Sequence, residues 1–80
     1  MKLWRISQTV NNRYDTYDYA IVAAVSKTDA KKIRPDGSEF GETRHHHDTW
    51  CAINEVEVEY IGVAAKRIER GVILASFKAG

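Results

Sequence analysis

Three consecutive histidines, an aspartate and a nearby cysteine form the one cluster in this sequence with metal-ligand chemistry. In an extended chain His45 and His47 share one side, and a carboxylate or the Cys51 thiolate would complete a site. Structural zinc sites usually draw on two spaced pairs of ligands, and the sequence has no second pair. We therefore expect no cofactor, and a metal site at His45, His47 and Cys51 is a less favoured alternative.

A cysteine nucleophile with a histidine base needs the two side chains within hydrogen-bond reach. Cys51 and His47 are four residues apart, which exceeds about 10 Å along an extended chain. Cys51 also stands between Trp50 and Ala52, where a thiol behaves as a small hydrophobic side chain. No glycine-rich phosphate loop, nucleophile elbow or paired-acid motif occurs in the sequence. These observations favour a protein that is not an enzyme.

The segment from Tyr14 to Asp18 alternates tyrosine with aspartate and is followed by six consecutive apolar residues, Ala20 to Val25. Tyrosine beside aspartate is typical of adaptable binding loops, because each ring offers a large contact area at low entropic cost. We expect the following residues to contact a partner protein: Tyr14, Asp15, Tyr17 and Asp18. In the structural alternative, the rings cover the edge of the core and the aspartates occupy turns.

Lys27, Lys31 and Arg34 are spaced at i, i+4 and i+7, which places them on one face of a helix. Such a face can contact phosphates, so a small nucleic-acid-binding module is the alternative function. However, twelve basic and eleven acidic side chains give a formal charge of only +1 at pH 7. This balance removes the compositional case for nucleic acid or an anionic membrane as the partner.

The length of 80 residues predicts a single domain, residues 1–80, near the lower limit for one hydrophobic core. A single cysteine cannot form an internal disulfide, which favours a reducing compartment. Polar residues interrupt the first residues too early for a signal peptide. No run approaches the roughly 20 apolar residues of a membrane-spanning helix. The sequence therefore predicts a cytoplasmic protein that does not interact with membranes.

Four segments have the pattern of β-strands: Lys2 to Gln8, Tyr19 to Val25, Glu55 to Val63 and Val72 to Phe77. The second and the fourth are apolar on both faces, so we expect them at the centre of a sheet. The third alternates apolar residues with three glutamates, which would discourage aggregation at a sheet edge. Trp50 to Ile53 is either a further short strand or the approach to the third. Gly62 marks either a bulge or a close approach of backbones. Tyr17 and Tyr19 would share one face of an extended chain.

A short helix is predicted after Ser26, whose side chain can accept a hydrogen bond from the amide of Asp29. Asp29 lies in the first turn, where the helix dipole favours a carboxylate. Pro35 disfavours helical geometry at the residue before it, so the helix ends at one of the two preceding residues. Ala30 and Ile33 would then face the sheet.

Together these elements predict an α+β fold with a mostly antiparallel sheet of four to five strands and one short helix on one face. The predicted chain order is β-β-α-β-β. The segment from Pro35 to Thr49 lacks apolar periodicity over fifteen residues, so it is either functional or mobile. One short helix cannot cover the whole sheet, so this segment, a second subunit or a partner would cover the remainder.

Four segments carry a resemblance to known proteins: Lys2 to Ser7, Tyr14 to Asp18, Ala30 to Pro35 and Gly71 to Phe77. In these segments the chain resembles small uncharacterised proteins encoded by bacteriophages and prophages. The resemblance implies an origin in an infected or lysogenic bacterial host, and it carries no activity. Phage accessory proteins of this size often occupy a surface on a host protein, as inhibitors of host defence such as anti-CRISPR proteins do. We therefore predict a non-enzymatic protein that binds a host protein, as a monomer or as a homodimer.

Overall fold

The computed structural model describes residues 1–11, 14–41 and 49–78. The elements along the chain are β1 (Lys2–Ser7), β2 (Thr16–Ala24), α1 (Lys27–Lys31), a 3-10 turn (Ile53–Glu55), β3 (Glu57–Val63) and β4 (Gly71–Lys78). The four strands form one antiparallel sheet in the order β3-β1-β2-β4. The protein therefore has an α+β fold in which the two N-terminal strands are central and the two C-terminal strands are the edges.

The structure differs from the sequence prediction in the number and the order of the strands. Trp50 and Cys51 are buried and lead into the 3-10 turn, so the described residues contain no fifth strand. The apolar run of β4 predicted a central strand, yet β4 lies at an edge of the sheet. Ile73 and Leu74 in this strand are 45% and 50% exposed, because no strand of the described chain lies beyond them.

Alternation along the two central strands places one set of side chains in the core. Trp4 and Ile6 of β1 are buried, as predicted, and so are Val22 and Ala24 of β2. The Trp4 indole Nε1 donates a hydrogen bond to the carbonyl oxygen of Ala24 at 3.1 Å, which satisfies its polar atom inside the core. The strand predicted from the run Ala20 to Val25 is therefore central, and β2 begins three residues earlier than expected.

A bulge at Asp18 changes which face the tyrosines of β2 occupy. Tyr17 pairs with Phe77 and Tyr19 pairs with Ser76, so Asp18 is an extra residue in β2. Consecutive residues of β4 face opposite sides of the sheet, and Tyr17 and Tyr19 must do so as well. The prediction that these two tyrosines share one face is therefore wrong. Another bulge lies beside Gly62 in β3, which agrees with the first of the two alternatives for this glycine.

The helix α1 is capped as predicted and ends earlier than predicted. The Ser26 side chain accepts a hydrogen bond from the amide of Asp29 at 3.1 Å. The helix ends at Lys31, and the amide of Phe40 returns to the carbonyl oxygen of Lys32 at 2.9 Å. Ala30 and Ile33 are buried against the sheet, in agreement with the sequence prediction. In the described part of the chain, no helix has the length and apolarity required to cross a membrane.

The hydrophobic core lies on one side of the sheet only. We call the side of the sheet that α1 covers the helix side. On this side the core also contains Ala30, Ile33, Trp50, Cys51 and Val56, and Phe40 packs against it. The described part of the segment from Pro35 to Thr49 therefore covers the same side as α1. The other side, which we call the open face, carries these residues of the three strands β1, β2 and β4: Leu3, Arg5, Ser7, Tyr19, Ile21 and Leu74.

Candidate functional site

The four residues predicted to bind a partner lie where β2 begins and β4 ends. Tyr14 is 70% exposed, and the side chains of Asp15 and Asp18 are also exposed. Pairing of the first residues of β2 with the last residues of β4 brings Lys78 into the same region. We call this region the tyrosine–aspartate surface; its members are Tyr14, Asp15, Tyr17, Asp18 and Lys78.

The backbone at Asp15 fixes the position of the exposed ring. Asp15 has a φ of 63°, in the left-handed region that aspartate tolerates better than most residues. Its amide donates a hydrogen bond to the carbonyl oxygen of Lys78 at 2.5 Å. The Lys78 ammonium lies 5.5 Å from the centre of the Tyr14 ring, within the range of a cation–π contact. Both the backbone and the side chain of Lys78 therefore hold the turn that presents Tyr14.

Tyr17 also supports the fold, as the structural alternative for these tyrosines anticipates. Its ring lies edge-to-face on the ring of Phe77, with the centroids 4.9 Å apart, and it packs against the core. Its amide donates to the carbonyl oxygen of Thr49 at 2.9 Å. Tyr17 is half-buried, so a smaller part of its ring than of Tyr14 is available to a partner.

Gln8 positions the start of β2, a role that no pattern in the sequence indicated. The Gln8 amide nitrogen Nε2 donates to the carbonyl oxygens of Asn11 at 2.6 Å and Tyr17 at 2.9 Å. Its oxygen Oε1 accepts from the amide of Asn11 at 2.6 Å. Gln8 is buried, so these bonds also satisfy a polar side chain removed from water. A depression of about 140 Å³ lies beside it, lined by Gln8, Asn11, Thr16, Tyr17, Asp18 and Lys78.

The three basic residues proposed for nucleic-acid binding do not form a single helical face. Lys27 and Lys31 are the first and last residues of α1, and Arg34 lies beyond its end. The Arg34 guanidinium is 4.5 Å from the centre of the Phe40 ring, over which it stacks. The prediction of one basic stripe is wrong because the helix ends after five residues.

Asp29, on the same helix, is part of an ionic contact that joins α1 to the start of β4. The Arg70 Nε donates to both carboxylate oxygens of Asp29, at 3.0 and 2.9 Å, and its Nη1 contacts Glu39. The hydrogen bond from Arg70 is the main reason that the pKa of Asp29 is lowered. The same bond raises the pKa of Arg70. We assign this contact a structural role.

Cys51 lies in an environment that suits packing. Its side chain is buried, and burial raises the pKa of the Cys51 thiol to about 11. A thiol with this pKa stays protonated near neutral pH, whereas metal binding and nucleophilic attack need the thiolate. His45 and His47, the other residues of the predicted metal site, lie outside the described residues. Within residues 1–11, 14–41 and 49–78, no group of three histidine, cysteine, aspartate or glutamate side chains could hold a metal ion.

The open face combines a cation–π contact with exposed carboxylates. The Arg5 guanidinium lies 4.7 Å from the centre of the Tyr19 ring. Glu57 and Glu59 of the neighbouring edge strand β3 are exposed, as the alternating pattern predicted. A shallow depression of about 200 Å³ is lined by Arg5, Ser7, Glu57, Val58 and Glu59. This side of the sheet is polar near β3 and apolar near β4.

No protein-family model matches the chain, and no curated protein or solved structure was found to match it.

Proposed function

We propose that the protein is a non-enzymatic accessory protein of phage or prophage origin that binds a host protein through the tyrosine–aspartate surface. In this proposal it acts in the cytoplasm of the infected or lysogenic bacterium. The observation that carries the proposal is the placement of Tyr14, which is 70% exposed. Its ring contacts the Lys78 ammonium, and the amide of the next residue, Asp15, is bonded to the Lys78 carbonyl oxygen.

An exposed aromatic ring on a fixed backbone is suited to anchoring a partner. Tyrosine is enriched among the residues that carry most of the binding energy at protein interfaces. A turn fixed in advance lowers the entropy lost on association. The turn at Asp15 is fixed by its bond to the last residue of β4, and the bulge leaves the Asp18 side chain in solvent.

The charges around the ring would orient the partner. Asp15 and Asp18 supply negative charge to this surface, and Lys78, beside the Tyr14 ring, supplies positive charge. Such mixed charge contributes mainly to specificity and to the association rate. We therefore expect a partner surface with an apolar depression for the ring and at least one basic group beside it.

Nucleic-acid binding has less support than protein binding. The Arg34 guanidinium already stacks on Phe40, and Asp29 places a carboxylate on the same helix as Lys27 and Lys31. Binding through this region would weaken steeply with salt. We expect no binding to DNA or RNA at about 50 mM salt, where phosphate contacts are strongest.

Affinity capture from a bacterial host tests the proposal. The baits are the wild type, Tyr14→Ala, Asp18→Ala and the control Tyr60→Ala, which removes an exposed tyrosine from the opposite edge strand. Proteins retained by the wild type and the control should be lost with the other two baits. A partner identified in this way should then bind purified Tyr14→Ala at least about tenfold more weakly by calorimetry.

Folding of each bait is checked by circular dichroism, so that a lost partner reflects the surface and not unfolding. An identical set of retained proteins for all four baits would remove the role proposed for Tyr14 and Asp18.

A further inference from the structure

The edge strand β4 leaves the outer side of its backbone without a neighbouring strand in the described chain. Its close contacts with other elements are those with β2. An unpaired strand edge presents a row of amide and carbonyl groups to which another strand can bind. The composition of β4 determines whether that binding is discouraged.

β4 has few of the features that usually protect an edge. None of the residues from Val72 to Phe77 is charged or is a proline. Ile73, Leu74 and Phe77 are between 45% and 50% exposed. A bulge occurs at Ile73, but from Leu74 to Lys78 the strand contains no further inserted residue. This part of β4 is regular, apolar and accessible.

We propose that β4 pairs antiparallel with β4 of a second copy of the chain, which joins two four-stranded sheets into one sheet of eight strands. Two identical strands in antiparallel pairing are related by a two-fold axis, and such two-fold dimers are the commonest protein oligomers. The exposed apolar side chains of the two copies would then lie side by side on a continuous sheet. This inference does not depend on the proposed host partner.

The distribution of charge favours β4 over the other edge. Full-length antiparallel pairing of β3 with itself would place Glu59 of one copy diagonally beside Glu59 of the other, and like charges on adjacent strands destabilise a sheet. In β4 the one charged residue is Lys78, at its end. In the antiparallel arrangement Lys78 approaches the beginning of the second β4. There, the Arg70 guanidinium is already paired with Asp29 and Glu39. The two Lys78 side chains lie at opposite ends of the paired strands, so self-pairing of β4 does not bring them together.

The size of the contact predicts a weak dimer. Pairing over at most eight residues covers less than the roughly 800 Å² per partner of a standard interface. We therefore expect a dissociation constant on the order of 10–100 µM.

Sedimentation velocity between about 1 µM and about 1 mM protein tests the proposal across this range. The average mass of the wild type should rise with concentration from 9.1 kDa towards twice that value. Leu74→Lys places a charge on β4 and should stay at the monomer mass. The matched control Ile61→Lys changes an equally accessible residue, 47% exposed, on the other edge and should dimerise as the wild type does. Tyr14→Ala should dimerise as well, which separates this contact from host binding.

Hydrogen exchange of the wild type provides a second measurement that needs no substitution. Amides of β4 should become more protected as the concentration rises, while those of β3 should not change. A monomer at every concentration would overturn the proposal. So would a dimer that survives Leu74→Lys and is lost with Ile61→Lys. If Leu74→Lys fails to fold, unchanged protection of β4 in the wild type overturns it.

Discussion

Neighbouring residues of β2 lie in two different environments. Val22 is fully buried on the helix side, whereas Ile21 is partly exposed on the open face, paired with Arg5 and Leu74. In β1 the same contrast separates Ile6, which is fully buried, from Arg5. One face of the sheet therefore supplies most of the packing that stabilises the fold. The other face carries side chains that depend less on that packing.

The largest effect is expected when a charge is placed on the helix side. Val22→Lys would bury an unpaired ammonium, at a cost of several kcal/mol, in a domain with a total stability of only about 5 kcal/mol. We expect this variant to lose its cooperative urea transition and its near-UV circular dichroism. Ile21→Lys, one residue away, should keep both, because its side chain can reach solvent. If both variants unfold, the open face is packed as tightly as the helix side, and the two faces contribute equally to stability.

A smaller but clear effect is expected from removing buried methylene groups. Ile6→Ala should lower the free energy of unfolding by about 3 kcal/mol, because the site is fully buried and leaves a cavity. Leu3→Ala, on the open face of the same strand, should cost about 1 kcal/mol, because its side chain is already partly in water. Urea unfolding at pH 7 measures both. Equal losses for the two variants would contradict the contrast between the faces.

The ionic contact between α1 and β4 is expected to make stability depend on pH. The pKa of Asp29 is lowered in the folded protein, so its ionised form stabilises the fold. This contribution is present above the unfolded pKa of an aspartate, about 3.9, and is lost as the pH falls through the lower folded value. Because Arg70 is partly exposed, we expect Asp29→Asn to cost no more than about 1 kcal/mol at pH 7.

Urea unfolding from pH 7 to pH 2 should therefore show a shallower acid loss of stability for Asp29→Asn than for the wild type. Asp18→Asn, in the exposed bulge, serves as the control and should follow the wild-type curve. Parallel curves for the wild type and Asp29→Asn would show that the Arg70 contact does not stabilise the fold.

The smallest effect is expected on the open face itself. Arg5→Ala removes the guanidinium from the Tyr19 ring and should cost about 0.5–1 kcal/mol, the range of an accessible cation–π contact. Thermal unfolding at two salt concentrations measures this loss. A loss above about 2 kcal/mol would place Arg5 among the residues that hold the sheet together.

Local features of the chain were predictable from sequence because they depend on neighbouring residues. Ser26 and Asp29 carry the helix start in their side chains, and the alternation of Trp4 and Ile6 reports a buried face directly. The glutamates of β3 were likewise predictable as exposed residues. Each of these predictions needed no information about distant parts of the chain.

The strand order and the faces of the tyrosines depend on distant pairing, which no local pattern reports. An apolar run such as Val72 to Phe77 is compatible with a central strand or with an edge strand that lacks protection. The bulge at Asp18 is determined by how β2 meets β4, more than fifty residues later in the chain. The residues from Tyr14 to Asp18 could therefore be selected from the sequence as a group around the start of β2, but their joining to Lys78 could not be predicted.

The strand order also has a consequence for how the chain folds during synthesis. The two central strands are made before the two edge strands, and they pair with each other across a short connection. Local pairing of this kind forms early, because little loop entropy is lost. Both edges of that hairpin stay uncovered until residues 57–78 have been made. The nascent chain therefore passes through a stage in which its central strands are open to incorrect pairing.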